Sequence, residues 1–368
     1  MLRAIYGVAL GDPAFQLERR FEAKERTFAG YIQANYEFEL GGPLVLDGTV
    51  GVRPTVTDRQ IAGAGAISNV VTPVSAKSSD VDVLPNASAR LQFGGGMQVR
   101  ATYSATIRRP GFGALNPGLN YIVATNPNVQ NSGSAGNPDL RPQKSESLDA
   151  TVEYYWRNGF VAVAGYYRDI TDRVINSPTL ERIDGIDYNI TRPRNVGQAT
   201  LKGVEVSGQA FLDFLPGALS GFGLSGNFTY ADAKVGGGDS LTGLPLQGAS
   251  KYNFNTGLIY DKFDLSGRLI YTHRSRYFDG ETTGLNLVRP VSDAQLAAGT
   301  TPVNLNYVRP GGRLDFGLGY DLNKSLRVDL GGTNILGNKY RSYFEPTKFT
   351  RDIRYDDTIY TVGIQPRF

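Results

Sequence analysis

Two stretches near the C-terminus decide the fold: residues 313–322 read RLDFGLGYDL, and residues 360–368 read YTVGIQPRF. In both stretches every second residue is apolar, and the residues between them are polar, charged or glycine. Successive side chains of a β-strand point to opposite faces, so this period of two predicts strands with one apolar and one polar face. Residues 326–330, which read LRVDL, follow the same rule.

The charged residues of these strands fall on one face, and Tyr and Phe recur near the strand ends on the other. A soluble two-sheet β-protein is disfavoured because Arg and Asp would fill its core, at several kcal/mol for each imperfect pair. A transmembrane β-barrel has the reverse arrangement, with apolar side chains toward lipid and polar ones toward a wet lumen. A strand of about ten residues, tilted near 45°, covers roughly 23 Å of bilayer. The predicted fold class is all-β, an antiparallel transmembrane β-barrel portion.

The composition of the 368-residue chain agrees with a barrel that has a wet interior. It has 45 Gly, 21 Tyr, 18 Phe and 20% charged residues, with a mean hydropathy of −0.26. The sequence contains no run of about 18 apolar residues, so no transmembrane helix is expected. The absence of Cys excludes a disulfide framework and thiolate metal sites. A net charge of +3 gives no support to a nucleic-acid partner.

The alternation predicts about thirteen strands joined by connections that alternate between short and long. The strands are expected near residues 28–39, 44–54, 80–92, 97–108, 146–156, 160–174, 197–213, 221–234, 248–260, 263–276, 312–322, 325–336 and 357–368. The long connections are expected at 55–79, 109–145, 175–196, 235–247, 277–311 and 337–356. Outer-membrane barrels have short periplasmic turns and longer extracellular loops, so these six connections are predicted to be extracellular.

Thirteen is an odd number, whereas single-chain bacterial barrels have an even number of strands. An unpaired edge in lipid leaves backbone groups unsatisfied at several kcal/mol each. Residues 28–368 are therefore expected to be the C-terminal part of a larger barrel, and residues 1–27 an N-terminal loop or partial strand. No secretion signal precedes residues 2–6, so either a signal has been removed or the chain is a fragment. The alternative is a small passive porin of about fourteen strands that uses residues 2–10 as the missing strand.

Four segments, in this order, resemble the C-terminal barrel of the TonB-dependent receptors. They are YSATIRRPGF at 103–112, GNPDLRPQKS at 136–145, NVGQATLKGVE at 195–205 and GTNILGNKY at 332–340. Together with a terminal Phe368 they cover roughly residues 28–368. Leu84-Pro85, ahead of the first segment, is most similar to the receptors of xanthomonad- and caulobacter-type bacteria.

The resemblance implies a 22-stranded barrel with a plug inside, in the outer membrane of a Gram-negative bacterium. Such receptors import siderophores, cobalamin or carbohydrates with energy from the inner membrane. Nothing in the sequence resembles the plug or the segment that engages TonB, so TonB is expected as a partner only through a plug absent from this chain. Outer-membrane lipid is a second expected partner, and the barrel-assembly machinery, reached through Phe368, is a third. Pro366 replaces the usual aromatic residue of that C-terminal signal.

No catalytic, cofactor or metal site is predicted. The only histidine, His273, has the lipid-facing parity of its strand and is expected in an aromatic belt. The acidic groups Asp80/Asp82 and Asp352/Asp356/Asp357 are expected to be solvated loop charges rather than Ca²⁺ ligands. Charged residues of lumen-facing parity are expected to pair across strands along the inner wall and to contact a plug. They are Arg100, Arg108, Arg268, Arg274, Arg276, Arg313, Arg327, Arg367, Asp149, Glu153, Glu205, Asp264, Asp315 and Asp329.

Substrate contacts are expected in the long loops, which carry binding residues more often than strands do. The two C-terminal loops offer aromatic rings and arginines, which suit stacking on sugars or binding of an anionic ferric siderophore. The sequence leaves these two ligand classes open. The predicted substrate-binding residues are Tyr277, Phe278, Tyr307, Arg309, Tyr343, Phe344, Arg351 and Arg354.

Overall fold

A computed structural model of the chain describes residues 20–67, 70–122, 131–237, 242–283, 303–345 and 348–366. Nearly all of these residues lie in antiparallel strands. The strands are β1 Glu22–Ala29, β2 Ile32–Gly41, β3 Leu44–Ile67, β4 Val70–Gly94, β5 Met97–Arg108, β6 Leu119–Ile122, β7 Ser132–Ala135, β8 Gln143–Trp156, β9 Gly159–Ile183, β10 Ile186–Phe211, β11 Phe222–Val235, β12 Tyr252–Lys262, β13 Leu265–Arg274, β14 Tyr277–Thr283, β15 Val303–Val308, β16 Gly311–Asn323, β17 Leu326–Thr333, β18 Lys339–Glu345, β19 Thr350–Tyr355 and β20 Ile359–Pro366. The short helix α1, Phe112–Leu115, and a 3₁₀ turn, Gly217–Gly221, are the helical elements of the described ranges.

Thirteen strands form a continuous antiparallel wall, as predicted. Their order is β2-β3-β4-β5-β8-β9-β10-β11-β12-β13-β16-β17-β20. β1 lies on the same side of β3 as β2: β2 pairs with residues 44–52 of β3, and β1 pairs with residues 55–62. Within the described ranges β2 pairs only with β3, and β20 only with β17. This part of the chain is therefore a curved sheet with two edges. Arg367 and Phe368 lie outside the described residues, so their orientation and role stay predictions.

The apolar faces of neighbouring strands join into one row on the wall. Paired positions on successive strands are occupied by Leu91, Val99, Val152, Val163, Val206, Phe228 and Phe254. Several of these side chains are exposed, as in Val152 at 48% and Val163 at 45%. His273 ends the row and stacks on Phe254 with ring centroids 5.0 Å apart. This "apolar row" is the lipid-facing surface that the alternation predicted.

The opposite face carries paired charges. Arg90 of β4 contacts Asp47 of β3 at 3.0 Å, and Arg100 of β5 contacts Glu153 of β8 at 3.6 Å. Arg327 lies between Asp321, at 3.3 Å, and Asp329, at 2.9 Å. Arg100, Glu153, Arg327 and Asp329 belong to the charges that were predicted to pair across strands. Arg100 and Glu153 do so, whereas Arg327 and Asp329 lie two residues apart on the same strand. A charged residue facing lipid at mid-bilayer would cost about 2–4 kcal/mol.

Two of the predicted long loops are strands instead. Residues 55–67 and 70–79 continue the β3–β4 hairpin, with residue pairs that run from Thr55↔Asp82 to Ile67↔Val70. Residues 175–196 continue β9 and β10 as a second long hairpin, which turns at Asp184 and Gly185 with φ of 52° and 83°. The loop prediction was wrong here because paired backbones extend about ten residues beyond the length that the bilayer requires.

These two hairpins and the segment between them close into a ring. β6 pairs in parallel with the tip of β3, and β7 pairs in parallel with β10 at Asn189–Thr191. The hydrogen-bonded circuit is β3-β4-β5-β8-β9-β10-β7-β6, which returns to β3. Ile61, Leu115 and Leu140 form a buried cluster within it. The described parts of the long connection at 109–145 thus form structured elements of this ring, which are α1, β6 and β7.

Asparagines of two of the resemblance motifs tie this ring together. The side-chain amide of Asn137 donates to the carbonyl of Pro193 at 3.1 Å. The side chain of Asn195 accepts from the backbone N–H of Arg141 at 2.9 Å and donates to its carbonyl at 2.9 Å. Each amide satisfies backbone groups of a different segment of the chain. The segments at 136–145 and 195–205 are therefore joined in space as a structural fastening.

Candidate functional site

The two predicted C-terminal loops contain a small sheet of their own. β14, β15, β18 and β19 pair in that order and are antiparallel throughout. β14 follows β13 after two residues, and β18 follows β17, so this "loop sheet" continues from the ends of the wall that bear the long connections. It carries all the predicted binding residues except Arg309, which directly follows β15.

Three of the predicted binding residues form the core of the loop sheet. Phe278, Tyr307 and Tyr343 are 1%, 7% and 6% exposed and pack as one cluster, with Leu244 and Leu305 against it. The ring centroids of Phe278 and Tyr307 are 5.6 Å apart, and those of Tyr307 and Tyr343 are 6.2 Å apart. These rings offer little surface to a ligand and hold the sheet together instead.

Arg276 links the core to charged groups at its edge. Its guanidinium lies 4.7 Å from the centre of the Tyr307 ring, donates to the Tyr343 hydroxyl at 3.3 Å, and pairs with Glu345 at 3.0 Å. Lys348 also donates to the Glu345 carboxylate. The sequence assigned Arg276 to the inner wall, whereas the structure places it against the loop sheet.

The loop sheet lies beyond the membrane-spanning strands, and its ionisable groups are shifted by these contacts. The hydrogen bond from Lys348, together with the charge of Arg276, holds the pKa of Glu345 below its usual range. Burial raises the pKa of the Tyr307 phenol, although Arg276 opposes the shift. At neutral pH Glu345 is therefore ionised and Tyr307 neutral.

The remaining cations form an exposed rim around this core. Arg309 lies 5.6 Å from the centre of the Tyr343 ring, and Arg354 lies 4.8 Å from that of Tyr340. Arg354 pairs with Asp352 at 2.6 Å, and Arg351 reaches Asp279 at 4.0 Å. All three arginines are exposed, so their guanidinium groups can contact a ligand in water.

The other two predicted residues occupy intermediate positions. Phe344 is half-buried on β18, and Tyr277 is half-buried at the start of β14, where Arg274 lies 3.7 Å from its ring centre. The structure thus places seven of the eight residues on one sheet and Arg309 directly after it, and it divides them into a core, a rim and two intermediate positions. Sequence reasoning did not assign Arg276, Asp279 or Glu345 to this site. Their residue types alone do not show that they lie next to the aromatic core.

The described ranges contain no helix long and apolar enough to cross a membrane. They also contain no cluster of three or more His, Asp or Glu side chains that could hold a metal ion. Of the predicted solvated carboxylates, Asp80 pairs with the buried Arg59 at 2.7 Å, and Asp82 is 3% exposed. The prediction of solvated charges was wrong for these two, because the β3–β4 extension half-buries Asp80 and buries Asp82.

The fold is similar to that of solved bacterial uptake receptors. The ferric yersiniabactin uptake receptor FyuA of Yersinia pestis is 16% identical, with a TM-score of 0.58 over 95% of this chain and 47% of that one. The ferric-catecholate import receptor Fiu of E. coli K12 is 16% identical, with a TM-score of 0.60 over 94% and 45%. The siderophore receptor PirA of Acinetobacter baumannii is 14% identical, with a TM-score of 0.57 over 94% and 55%.

The chain spans about half the length of these receptors. At such low identities the likeness establishes the fold alone. A family model described as TonB dependent receptor-like, beta-barrel, matches residues 3–335, which is most of the sequence. The match agrees with the order of the four motifs, the thirteen-strand wall and the apolar row, and the chain belongs to the TonB-dependent receptor-like β-barrel family.

Proposed function

We propose that the chain forms the C-terminal part of the barrel of a receptor for active uptake of a scarce nutrient, and that its loop sheet contributes to ligand binding. The observation that carries the proposal is the rim of exposed arginines on a rigid aromatic core. A ligand meets guanidinium groups that are already positioned by rings and carboxylates, so little side-chain ordering is needed on binding.

Membership of the family places the chain in the outer membrane of Gram-negative bacteria. The passive-porin alternative is not favoured, because the similar solved structures are described as uptake or import receptors. None of those descriptions names an enzyme. The nearer likeness to xanthomonad- and caulobacter-type receptors stays a prediction.

Between the two ligand classes, the loop sheet favours an anionic ferric siderophore. Arg309, Arg351 and Arg354 are exposed on it, and cations near aromatic faces suit acidic or aromatic chelating groups. The solved receptors are described as taking up ferric yersiniabactin or ferric catecholates. An oligosaccharide is the second candidate, because Phe349 and Tyr355 are 60% and 72% exposed and available for stacking on sugar rings.

Energy coupling belongs to the same proposal. TonB would act through the plug of the full receptor, and the paired charges of the inner wall would contact that plug. Phe368 would be recognised by the barrel-assembly machinery, with Pro366 weakening that signal. The support is the family membership of the chain together with its coverage of about half the length of the matched receptors.

The proposal is tested by removing the rim charges in the full-length receptor. The R309Q/R351Q/R354Q variant should lose at least about tenfold in affinity for its ferric siderophore, and the loss should shrink as salt is raised. Tyr343 is left intact because it is a core residue. The control R157Q/K324Q changes exposed cations at short turns and should bind normally.

Radiolabelled iron uptake and direct binding by cells would both be measured, with receptor abundance checked by immunoblot. Salt-independent loss of binding for a neutral oligosaccharide would reassign the site to sugars. Unchanged uptake and binding of every nutrient tested would remove the loop sheet from the ligand site.

A further inference from the structure

A cavity of about 500 Å³ lies where the 242–251 segment folds over the ends of β11 and β14. Its lining includes Lys234, Lys251 and Arg276, and the rings of Tyr252 and Tyr277. A cavity of this size accommodates a small headgroup or ligand. Asp232 is the one carboxylate of the lining, and Tyr277, Phe278 and Tyr307 of the predicted binding set also line it.

The cavity adjoins the lipid-facing surface of the wall. Tyr252 lines the cavity and packs on Tyr230 and Phe228, with centroid distances of 5.6 and 6.3 Å. Phe228 belongs to the apolar row, and Tyr230 and Tyr252 lie two residues from the row on adjacent strands. Tyr rings at strand ends are the usual marker of the membrane–water boundary. The cavity therefore opens at the edge of the bilayer.

Lys251 is a cation of the cavity lining that is available to bind an anion. Its ammonium lies 5.7 Å from the ring centre of Tyr230 and 5.8 Å from that of Tyr252, and the structure gives it no ion pair among the residues described. Lys234 pairs with Asp232 at 3.6 Å while remaining 64% exposed. Arg276 pairs with Glu345, which also pairs with Lys348. The cavity lining thus carries three cations, Lys234, Lys251 and Arg276, against the single carboxylate of Asp232, and both lysines are exposed.

We propose that this cavity binds the phosphate-bearing headgroup of an outer-leaflet lipid, with the acyl chains of the lipid lying against the apolar row. An anion would gain contact with the exposed ammonium groups of Lys251 and Lys234 close to the protein surface, where charge–charge attraction is stronger than in bulk water. The tyrosine rings would pack against the glycerol or sugar part of the headgroup. A soluble anion lacks the chains that the adjoining row of Val206, Phe228 and Phe254 would cover, so the geometry favours a lipid.

The test compares lipid binding by the receptor purified from outer membranes in detergent. The probe is phosphorylated lipopolysaccharide, and its matched partner is the same lipopolysaccharide after enzymatic dephosphorylation. In K234Q/K251Q, affinity for the phosphorylated form should fall roughly 25-fold, because each basic residue at an anionic lipid surface contributes about fivefold. The control K324Q changes an exposed lysine at a turn of the opposite end and should bind like the parent. Heat-modifiable migration on gels verifies that each variant is folded.

Three results would overturn the proposal. The first is equal binding of phosphorylated lipopolysaccharide by the parent and by K234Q/K251Q. The second is equal binding of the phosphorylated and dephosphorylated forms by the parent. The third is complete competition by millimolar inorganic phosphate, which would identify the site as one for soluble anions. The lipid site is supported when binding needs both the phosphate and the two lysines, and nutrient uptake by K234Q/K251Q is not expected to change.

Discussion

The side-chain amide of Asn334 donates to the backbone carbonyl of Asp356 at 3.1 Å and so joins the end of β17 to the segment that leads into β20. The same side chain also donates to the carbonyl of Asn338 at 3.3 Å and accepts from its N–H at 2.9 Å. Asn334 is 2% exposed and has a φ of 55°, a conformation that Asn adopts more readily than most residues. The motif GTNILGNKY therefore fixes the base of the loop sheet.

We expect Asn334→Ala to destabilise the barrel by about 2–4 kcal/mol, because it leaves buried backbone groups of Asn338 and Asp356 without partners. Asn334→Gly also removes the amide but tolerates the positive φ, so it should be about 1 kcal/mol milder than the alanine variant. Urea unfolding of the receptor in lipid vesicles measures both. Equal stability of the alanine variant and the parent would show that the amide network contributes nothing.

A second prediction concerns Gly203, which lies beneath the ring of Tyr166 on the neighbouring strand. A Cβ at Gly203 would lie 2.5 Å from the Tyr166 hydroxyl oxygen and would clash with the carbonyl of Tyr230. Gly203→Ala should therefore cost about 1–3 kcal/mol through overpacking. Gly165→Ala, on β9, is the matched control, because a Cβ there meets no atom within 4 Å. The comparison fails if the two variants have the same unfolding midpoint in vesicles.

The wall was predictable because each membrane-spanning strand carries its own alternation. Val152, Val163 and Val206 come from three strands, and each has the correct parity on its own. The hairpin extensions were missed because residues 62–66, AGAGA, have no polar and apolar faces to alternate. For β9–β10 a signal existed: Asp184-Gly185 is a strong hairpin turn, and it lies at the centre of the predicted loop.

The location of the candidate site was predictable from the sequence. Which of its residues are buried in the aromatic core and which are exposed on the rim was not. Aromatic residues in loops suggest ligand contacts, and nothing in the sequence shows that Phe278, Tyr307 and Tyr343 cover one another. That fact depends on the pairing of β15 with both β14 and β18, which are separated by long stretches of chain. Similarly, Arg276 and Glu345 are 69 positions apart, so their ion pair has no local sequence signature.

The lipid-facing side of the last strand gives a third prediction. Val362 is 75% exposed and lies opposite Leu330 on β17. Val362→Arg should cost about 2–4 kcal/mol in a bilayer if the side chain is near the midplane. Thr361→Arg places the same charge on the polar face and should be mild. Folding titrations in vesicles measure both variants, and a larger cost at Thr361 would reverse the assignment of the two faces.

The last prediction is that acid loosens the loop sheet through Glu345. Lys348 and Arg276 lower the pKa of Glu345 in the folded protein, so its contribution to stability is fully present above the pKa of the unfolded chain. That contribution is lost as the pH falls from the usual pKa of a glutamate, about 4.3, through the lower pKa of the folded state. Amide exchange of β18, corrected for the intrinsic effect of pH, should therefore be protected at neutral pH and accelerate in this acid window.

Two variants isolate the carboxylate responsible. Glu345→Gln removes the charge, so it should weaken protection of β18 at neutral pH and flatten its dependence on acid. Glu39→Gln changes an exposed carboxylate at the other end of the wall, beside the Gly41-Gly42 turn, and should leave the acid response of β18 unchanged. If Glu345→Gln retains the full acid response of the parent, another group controls the loop sheet, and the ion pairs of Glu345 with Arg276 and Lys348 contribute nothing measurable to its stability.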